Sequence, residues 1–207
     1  MNDKIGVIDI GIGNVGSIFN MLKKISCNGI RVNSFEDLSN IERLIIPGVG
    51  SFDEGVKKLD QIFSINRLRN YILEKRCITL GICLGMQLLG NKSEEGKLEG
   101  LNLIEGNCKR FELPKKSNLK IPNMGWNEVI PKENSKLFND NKDLRFYFTH
   151  SYHFVCDDIN NESATALFSE FYTASIEKDH IFGVQFHPEK SHKFGMNLLK
   201  NFTELKL

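Results

Sequence analysis

The feature that most constrains the fold is a short apolar run that stops at a cysteine between two glycines. Residues 77–82 form this run, Cys83 follows, and a helical pattern begins at Leu84. A reactive residue at a tight strand-to-helix turn needs small neighbours two positions before and after it, where this chain has Gly81 and Gly85. The pattern therefore predicts a nucleophile elbow, at which the helix N-terminus and the following backbone N–H groups stabilise a thiolate and help bind an oxyanion. A buried structural cysteine at a strand end is the alternative.

A second motif lies near the end of the chain. Residues 181–186 form an apolar run that ends at His187, and Pro188 and Glu189 follow. The proline turns the chain, so the carboxylate of Glu189 can reach the far nitrogen of the His187 imidazole. Together with Cys83, this motif predicts a Cys-His-Glu triad in which histidine is the base and glutamate orients it. A surface corner is the alternative for His-Pro-Glu alone, and the cysteine elbow favours the catalytic interpretation.

These motifs resemble those of the class I (triad-type) glutamine amidotransferases. Within this class, the chain looks most like the HisH-like glutaminase subunits of imidazole glycerol phosphate synthase. The elbow and His-Pro-Glu mark the class, whereas Pro-Gly-Val-Gly-Ser-Phe and Met-Gly-Trp-Asn point to this subfamily over the anthranilate, carbamoyl phosphate and GMP synthase relatives. The resemblance covers essentially the whole chain and is carried by residues 8–9, 11–14, 47–52, 83, 93–96, 122–127, 147–152 and 187–191.

The resemblance implies an α/β fold of the class I glutamine amidotransferase type, with a mostly parallel central sheet flanked by helices and antiparallel additions in the second half. The alternation of strand and helix patterns agrees with it. Strands are predicted at 4–10, 29–32, 43–46 and 77–82, helices at 15–25, 54–73, 84–89 and 190–205, antiparallel strands between 100 and 176, and a polar loop at 132–142. We expect residues 1–207 to form a single glutamine amidotransferase type 1 domain.

The resemblance also implies roles for residues around the triad. The expected oxyanion donors are the strip Val49 and Gly50 and the N–H of Leu84; the expected glutamine-binding residues are Gln87, Glu95, His150 and Ser151; and the expected partner-interface residues are Asn14, Trp126, Asn127 and Lys190. The ordinary alternatives are a solvated charge for Glu95 and a core position for Trp126. No metal site is expected, because His150 and His153 have no third ligand beside them.

The function implied by the resemblance is that of a glutaminase subunit in a heterodimer. It would hydrolyse glutamine to glutamate and ammonia and pass the ammonia to a HisF-like (β/α)₈-barrel cyclase, which makes imidazole glycerol phosphate and aminoimidazole carboxamide ribonucleotide (AICAR) in histidine biosynthesis. Two alternatives stay open. One is a HisH-like paralogue that supplies ammonia for amidination of a surface sugar in a nonulosonic acid pathway. The other is a non-catalytic regulatory or binding protein on the same fold.

Composition argues against several other classes. The chain has 27 basic and 26 acidic residues, so its net charge of +1 gives no indication of binding to nucleic acid or to an anionic membrane. The apolar runs are too short to span a bilayer and no leader pattern opens the chain, so a cytoplasmic protein is expected. The cysteines show no paired Cys-x-x-Cys spacing, and reduced buried thiols are expected at Cys27, Cys77, Cys108 and Cys156.

A competing motif lies near the N-terminus. Residues 11–16 read Gly-x-Gly-x-x-Gly between a strand and a helix, and Glu36 and Asp37 lie near the position of a ribose-binding acid. Alone, this pattern predicts a dinucleotide site. A dehydrogenase would leave Cys83 and His187 unexplained and would need a second substrate domain, so no cofactor is expected.

Overall fold

The computed structural model describes residues 4–138 and 143–206. In chain order, the strands and helices are β1 (Ile5–Ile8), α1 (Val15–Lys24), β2 (Gly29–Val32), β3 (Arg43–Gly48), α2 (Phe52–Phe63), α3 (Ile65–Glu74), β4 (Ile78–Cys83), α4 (Leu84–Leu88), β5 (Lys92–Ser93), β6 (Gly106–Arg110), β7 (Asn123–Pro131), β8 (Arg145–His150), β9 (Tyr152–Cys156), β10 (Glu162–Leu167), β11 (Phe171–Lys178), β12 (Ile181–Val184) and α5 (His192–Glu204). Within these described ranges, no helix is long and apolar enough to cross a membrane.

The sheet has a parallel part and an antiparallel part. Its strand order is β2-β1-β3-β4-β12-β11-β10-β7-β8, with β5, β6 and β9 attached as a branch through β11. The first five strands of this order are parallel to one another. From β11 onward the pairs are antiparallel. The predicted fold class, a parallel sheet between helices with antiparallel additions in the second half, is confirmed.

The core lies on both faces of the parallel strands, because alternate side chains of a strand point to opposite faces. On one face, Ile45 of β3 belongs to the same buried cluster as Ile18 of α1 and Leu199 of α5. On the other face, the next residue, Ile46, lies in a cluster with Leu59 of α2. Full burial of such a side chain contributes about 1.5–3 kcal/mol. Helices therefore cover both faces and leave the carboxyl edge of the strands to the site.

Two predicted helices differ from those observed. The helix predicted at 54–73 is two helices, because the backbone turns at Ser64, whose φ is 57°. Asp60 supports the break, since its carboxylate accepts the Ile65 N–H at 3.0 Å. The last helix begins at His192, after a 3₁₀ turn at Pro188–Lys190. Part of the polar loop predicted at 132–142, namely residues 139–142, lies outside the described residues.

All five cysteines are free thiols. Cys77 and Cys108 are buried as predicted, and burial raises the pKa of the Cys77 thiol to about 12. The expectation of burial is wrong for Cys27 and Cys156, which are half-buried. Both lie in short runs whose neighbouring residues are partly exposed, so their burial pattern is weaker than that of Cys77.

Candidate active site

The backbone at Cys83 is strained, and close packing holds the strain in place. Cys83 ends β4 and has a φ of 55° and a ψ of −110°, which a non-glycine residue rarely adopts. A Cβ on Gly85 would lie 1.7 Å from the carbonyl oxygen of Ile46, and one on Gly81 would lie 2.6 Å from that of Gly85. Only glycine fits at both positions, because α4 starts in direct contact with β3 and β4. The elbow therefore presents the sulfur at the end of a central strand.

The histidine and the glutamate lie beside this elbow. β12 is parallel to β4, so the residues that follow these two strands meet at one edge of the sheet. There His187 Nδ1 donates a hydrogen bond to Glu189 Oε1 at 2.8 Å, and the two side chains are only 1% and 2% exposed. The imidazole is thus buried, and its Nδ1 is committed to the carboxylate.

The backbone of His187 is held by the antiparallel part of the molecule. Its N–H donates to the carbonyl oxygen of Tyr147 in β8 at 2.9 Å. The hydroxyl of Ser191 donates to the carbonyl oxygen of His187 at 2.6 Å and accepts the Tyr147 N–H at 3.0 Å. Two of these hydrogen bonds link the 187–191 segment to Tyr147, so a displacement of β8 would move the histidine.

Opposing effects act on the pKa of His187. Burial disfavours the imidazolium, but interactions with the Cys83 thiolate and with Glu189 outweigh it, so the pKa lies above the ordinary value of 6.5. Nε2 has no hydrogen-bond partner within the described residues, which leaves it as the nitrogen that exchanges a proton with the sulfur. The arrangement can hold a thiolate beside an imidazolium.

A pocket of about 310 Å³ opens in front of the sulfur. It brings together Cys83 and every residue with an expected oxyanion or glutamine-binding role, and it is lined by Val49, Gly50, Cys83, Leu84, Gln87, Glu95, Pro122, Thr149, His150, Ser151 and Tyr152. The strand register explains one wall: Gly48 at the end of β3 pairs with Cys83, so Val49 and Gly50 flank the elbow. Gly50 has a φ of 104°, a conformation that glycine adopts freely.

Two polar side chains of the pocket are oriented by the protein. Glu95 Oε2 accepts the Phe52 N–H at the start of α2 at 2.8 Å, where the helix dipole also favours a negative charge. Gln87 Nε2 donates to the carbonyl oxygen of Tyr152 at 3.1 Å and to Gln185 Oε1 at 3.0 Å. Because an amide nitrogen has two N–H groups, Gln87 has only its oxygen left for a ligand, and that oxygen accepts hydrogen bonds.

His150 is held as a neutral part of the wall. Its Nδ1 donates to the carbonyl oxygen of Tyr152 at 2.8 Å, since a carbonyl cannot donate. Its Nε2 then accepts from Asn123 Nδ2 at 3.2 Å, and Asn123 also donates to the hydroxyl of Tyr172 at 3.0 Å. Burial lowers the pKa of His150 to about 3, so the imidazole carries no charge at neutral pH.

Gln185 is a further residue of the site that no sequence motif predicted. This residue is fully buried, its Oε1 accepts from Gln87, and its Nε2 lies 3.9 Å from the sulfur of Cys83. The sequence contained one indication, because Gln185 is the single polar side chain in the apolar run 181–186. A buried amide needs hydrogen-bond partners. The structure supplies these partners next to the nucleophile.

Three of the four expected interface residues lie around β7. Trp126 is 45% exposed, so it does not occupy the core position that was the alternative. Its ring stacks on that of His192, with 5.7 Å between the ring centres. The ammonium of Lys190 lies 5.6 Å from the ring centre of Tyr147, whose ring also contacts Trp126. Asn127 is half-buried, and its side chain donates to Asn123. We call Trp126, Tyr147, Lys190 and His192 the tryptophan surface.

The remaining interface residue, Asn14, lies in the glycine-rich loop near the N-terminus. Its side chain accepts the Ser17 N–H at 3.3 Å and so caps α1. In the same loop, a Cβ on Gly13 would lie 3.3 Å from Cβ of Pro47, which indicates close chain approach. The Asp37 carboxylate of the competing dinucleotide motif accepts N–H groups of its own turn. It therefore serves the local turn.

Comparisons with known proteins agree with this geometry. The family model of glutamine amidotransferase class-I matches residues 6–205. The chain is 48% identical over 202 residues to imidazole glycerol phosphate synthase subunit HisH 2 of Methanococcus maripaludis, covering 97% of this chain and 98% of that relative. It is 44% identical over 200 residues to the subunit of the same name of Pseudomonas aeruginosa, covering 96% and 98%. In fold it is similar to a solved glutamine amidotransferase, with a TM-score of 0.76, 16% identity and 97% of each chain covered.

Proposed function

This chain belongs to the class I glutamine amidotransferase family, and we propose that it is a glutaminase that hydrolyses glutamine to glutamate and ammonia through Cys83, His187 and Glu189. The observation that carries the proposal is the pocket in front of Cys83, with the bonded His187–Glu189 pair buried behind it. We further propose that residues 1–207 act as one glutamine amidotransferase type 1 domain.

In the first half of the proposed reaction, the Cys83 thiolate attacks the side-chain amide carbon of glutamine. A C–S bond forms, and the carbonyl oxygen becomes an oxyanion. We assign its stabilisation to the N–H of Leu84 and to the strip Val49 and Gly50, which line the pocket beside the sulfur. One such donor is typically worth about 3 kcal/mol in the transition state. The C–N bond then breaks as the His187 imidazolium protonates the departing amine, and a glutamyl thioester and ammonia result.

In the second half, a water molecule cleaves the thioester. Neutral His187 takes a proton from the water, the hydroxide adds to the thioester carbon, and the thiolate leaves with glutamate as product. Glu189 fixes the proton on Nδ1 in the neutral histidine and stabilises the imidazolium by its charge. The burial of this pair supports the assignment, because a carboxylate acts on a neighbouring charge more strongly where water is excluded.

Glutamine binding is assigned to the rest of the pocket. The oxygen of Gln87 and the carboxylate of Glu95 are acceptors suited to the α-ammonium group of glutamine. The segment at His150 and Ser151 would bind its α-carboxylate, and since the imidazole of His150 is uncharged and engaged, we assign this contact to the backbone.

We propose that the partner is a HisF-like (β/α)₈-barrel cyclase that receives the ammonia in a heterodimer. Free ammonia is protonated at neutral pH, so direct transfer to the synthase preserves it as a nucleophile. The relatives named imidazole glycerol phosphate synthase subunit HisH 2 support a partner subunit of this kind. The pathway we propose is histidine biosynthesis, in the cytoplasm. The expected contacts are Trp126, Asn127 and Lys190, with Asn14 at the start of α1.

The test is glutamate release from glutamine, measured for this protein alone, with a barrel cyclase of the same organism, and with the cyclase plus its imidazole-pathway ribonucleotide. We expect stimulation by the cyclase and further stimulation by the ribonucleotide. Cys83→Ala should abolish release, whereas Cys27→Ala is a matched control that should leave it unchanged. Absence of Cys83-dependent release under all three conditions would refute the glutaminase.

The same experiment separates the histidine pathway from sugar amidination. Stimulation by the barrel subunit without any response to the ribonucleotide would refute the histidine-pathway assignment and favour the nonulosonic acid alternative. Binding to the barrel without Cys83-dependent release would favour the non-catalytic alternative.

A further inference from the structure

We propose that Gln185 is a further catalytic residue, whose side-chain N–H donates a hydrogen bond to the charged sulfur of Cys83. The inference rests on the proposed function in one respect only, namely that Cys83 works as a thiolate. It adds a side-chain donor to the backbone N–H groups and the His187 imidazole of the mechanism above.

The direction of the hydrogen bonds is determined by a backbone carbonyl. The carbonyl oxygen of Tyr152 can only accept, so the atom of Gln87 that contacts it at 3.1 Å must be the nitrogen Nε2. The same nitrogen contacts Gln185 at 3.0 Å, and that contact requires an oxygen on Gln185. With Oε1 of Gln185 used in this way, its Nε2 necessarily faces the sulfur, at 3.9 Å. The alternative amide orientation would place two donors against each other.

Burial strengthens the effect of this amide orientation on the Cys83 sulfur. Gln185 is 0% exposed and Cys83 is 6% exposed, so water does not substitute freely for the amide. The backbone N–H of Gln185 donates to the carbonyl oxygen of Ala174 at 2.9 Å, which holds the residue in line with β12. A donor at 3.9 Å interacts weakly with a neutral thiol, whereas a hydrogen bond to a charged acceptor is shorter and about twice as strong. The amide therefore favours the thiolate over the thiol.

Other titratable groups also face Cys83. His187, backed by Glu189, lies behind the sulfur, and the carboxylate of Glu95 and the neutral imidazole of His150 line the pocket. All four remain in place when Gln185 is replaced, so their effects cancel in a comparison with the wild-type protein.

The experiment measures the reactivity of the thiol without glutamine. The rate of Cys83 alkylation by iodoacetamide is followed from pH 5 to pH 10 in the wild-type protein and in Gln185→Met, which keeps the length of the side chain and removes both polar atoms. Cys83→Ala supplies the background from the other cysteines. Thr79→Val is the matched control, since Thr79 is equally buried on β4 but donates to the carbonyl oxygen of Cys77.

We expect the alkylation profile of Gln185→Met to move by about one pH unit to higher pH, because the variant lacks the amide hydrogen bond to the charged sulfur. The profile of Thr79→Val should coincide with that of the wild type. Coincidence of the Gln185→Met and wild-type profiles would overturn the proposal. If Gln185→Met does not fold, Gln185→Glu takes its place: it keeps the acceptor for Gln87 but brings a carboxylate to the sulfur, and an unchanged profile in that variant would overturn the proposal equally.

Failure of this inference and failure of the proposed function give different results. Alkylation needs no turnover, so a shifted profile would establish the amide contact even in a protein that releases no glutamate. Normal glutamate release with an unshifted profile would refute the contact alone. In an active enzyme, the acid limb of the kcat/KM profile of Gln185→Met should move to higher pH by the same amount as its alkylation profile.

Discussion

The parallel and antiparallel parts of the sheet both border the pocket, but they contribute different things to it. The parallel part supplies Cys83 and leads into His187. Backbone packing enforces its geometry, since a Cβ added at Gly85 would lie only 1.7 Å from the carbonyl oxygen of Ile46. The antiparallel part supplies a wall at 149–152 and carries exposed apolar side chains on its outer face, Met124 and Trp126 among them. The proposed chemistry thus depends on close packing, whereas the proposed recognition of a partner depends on a surface that folding leaves exposed.

The largest expected effect concerns the buried pair at the end of the parallel part. Glu189→Gln keeps the shape of the side chain but removes the charge that supports the imidazolium and fixes its tautomer. We expect kcat/KM for glutamine hydrolysis to fall by about 10⁴-fold, as in a serine-protease triad that loses this carboxylate. Glu204→Gln is the control, because Glu204 is exposed and forms a surface ion pair with Lys200. A Glu189→Gln enzyme with near-wild-type kcat/KM would remove the triad from the account.

The second prediction tests whether packing enforces the elbow. Gly85→Ala would place a methyl group 1.7 Å from the Ile46 carbonyl oxygen, so the free energy of unfolding should fall by about 3 kcal/mol or more. Gly16→Ala is the matched control, since a Cβ there meets nothing within 4 Å and alanine favours the helix. Urea unfolding measures both. Equal stabilities of the two variants would contradict the packing argument.

The third prediction concerns the open surface of the antiparallel part. Trp126→Ala should weaken binding to the barrel partner by about tenfold or more, because exposed tryptophans at interfaces are often binding hot spots. Its free energy of unfolding should change little, since the ring is 45% exposed. Ile159→Ala, at another exposed apolar residue, serves as the control in titration calorimetry. Unchanged affinity in Trp126→Ala would exclude the tryptophan surface from the interface.

The smallest effect concerns the pH dependence of the free energy of unfolding, to which His150 and His187 contribute with opposite sign. The folded-state pKa of His150 is lowered to about 3, so the unfolded chain binds more protons below pH 6.5 and stability is lost as the pH falls through this range. His187 has a raised pKa, so its contribution is present below pH 6.5 and is lost as the pH rises through the folded-state value. The two parts of the site thus respond in opposite directions.

We therefore expect His150→Gln to reduce the dependence of stability on pH between pH 4 and 6 by up to about 1.4 kcal/mol per pH unit. His153 and His180 also have pKa values lowered by burial and retain part of the acid sensitivity. Urea unfolding at pH 4, 5 and 6 provides the measurement. An identical slope in the variant and the wild type would show that His150 is not held neutral.

The sequence predicted the parallel part better than the antiparallel part, for physical reasons. Strand β4 and its elbow are local patterns: an apolar run, a cysteine and glycines at fixed spacing. The break at Ser64 was not predictable in this way, because neither glycine nor proline stands there and the turn depends on the hydrogen bonds of Asp60. Gln185 was missed because its role arises only when Gln87 and Tyr152, distant in sequence, meet it in the fold.

Cys83 is the proposed nucleophile, directed at bound glutamine. The most direct measurement is covalent labelling by a diazoketone analogue of glutamine in the complex with the barrel partner, followed by peptide mapping. We expect labelling at Cys83, which glutamine suppresses by competition and Cys83→Ala abolishes. Labelling spread over Cys27 and Cys156 and insensitive to glutamine, with Cys83 unmodified, would contradict it.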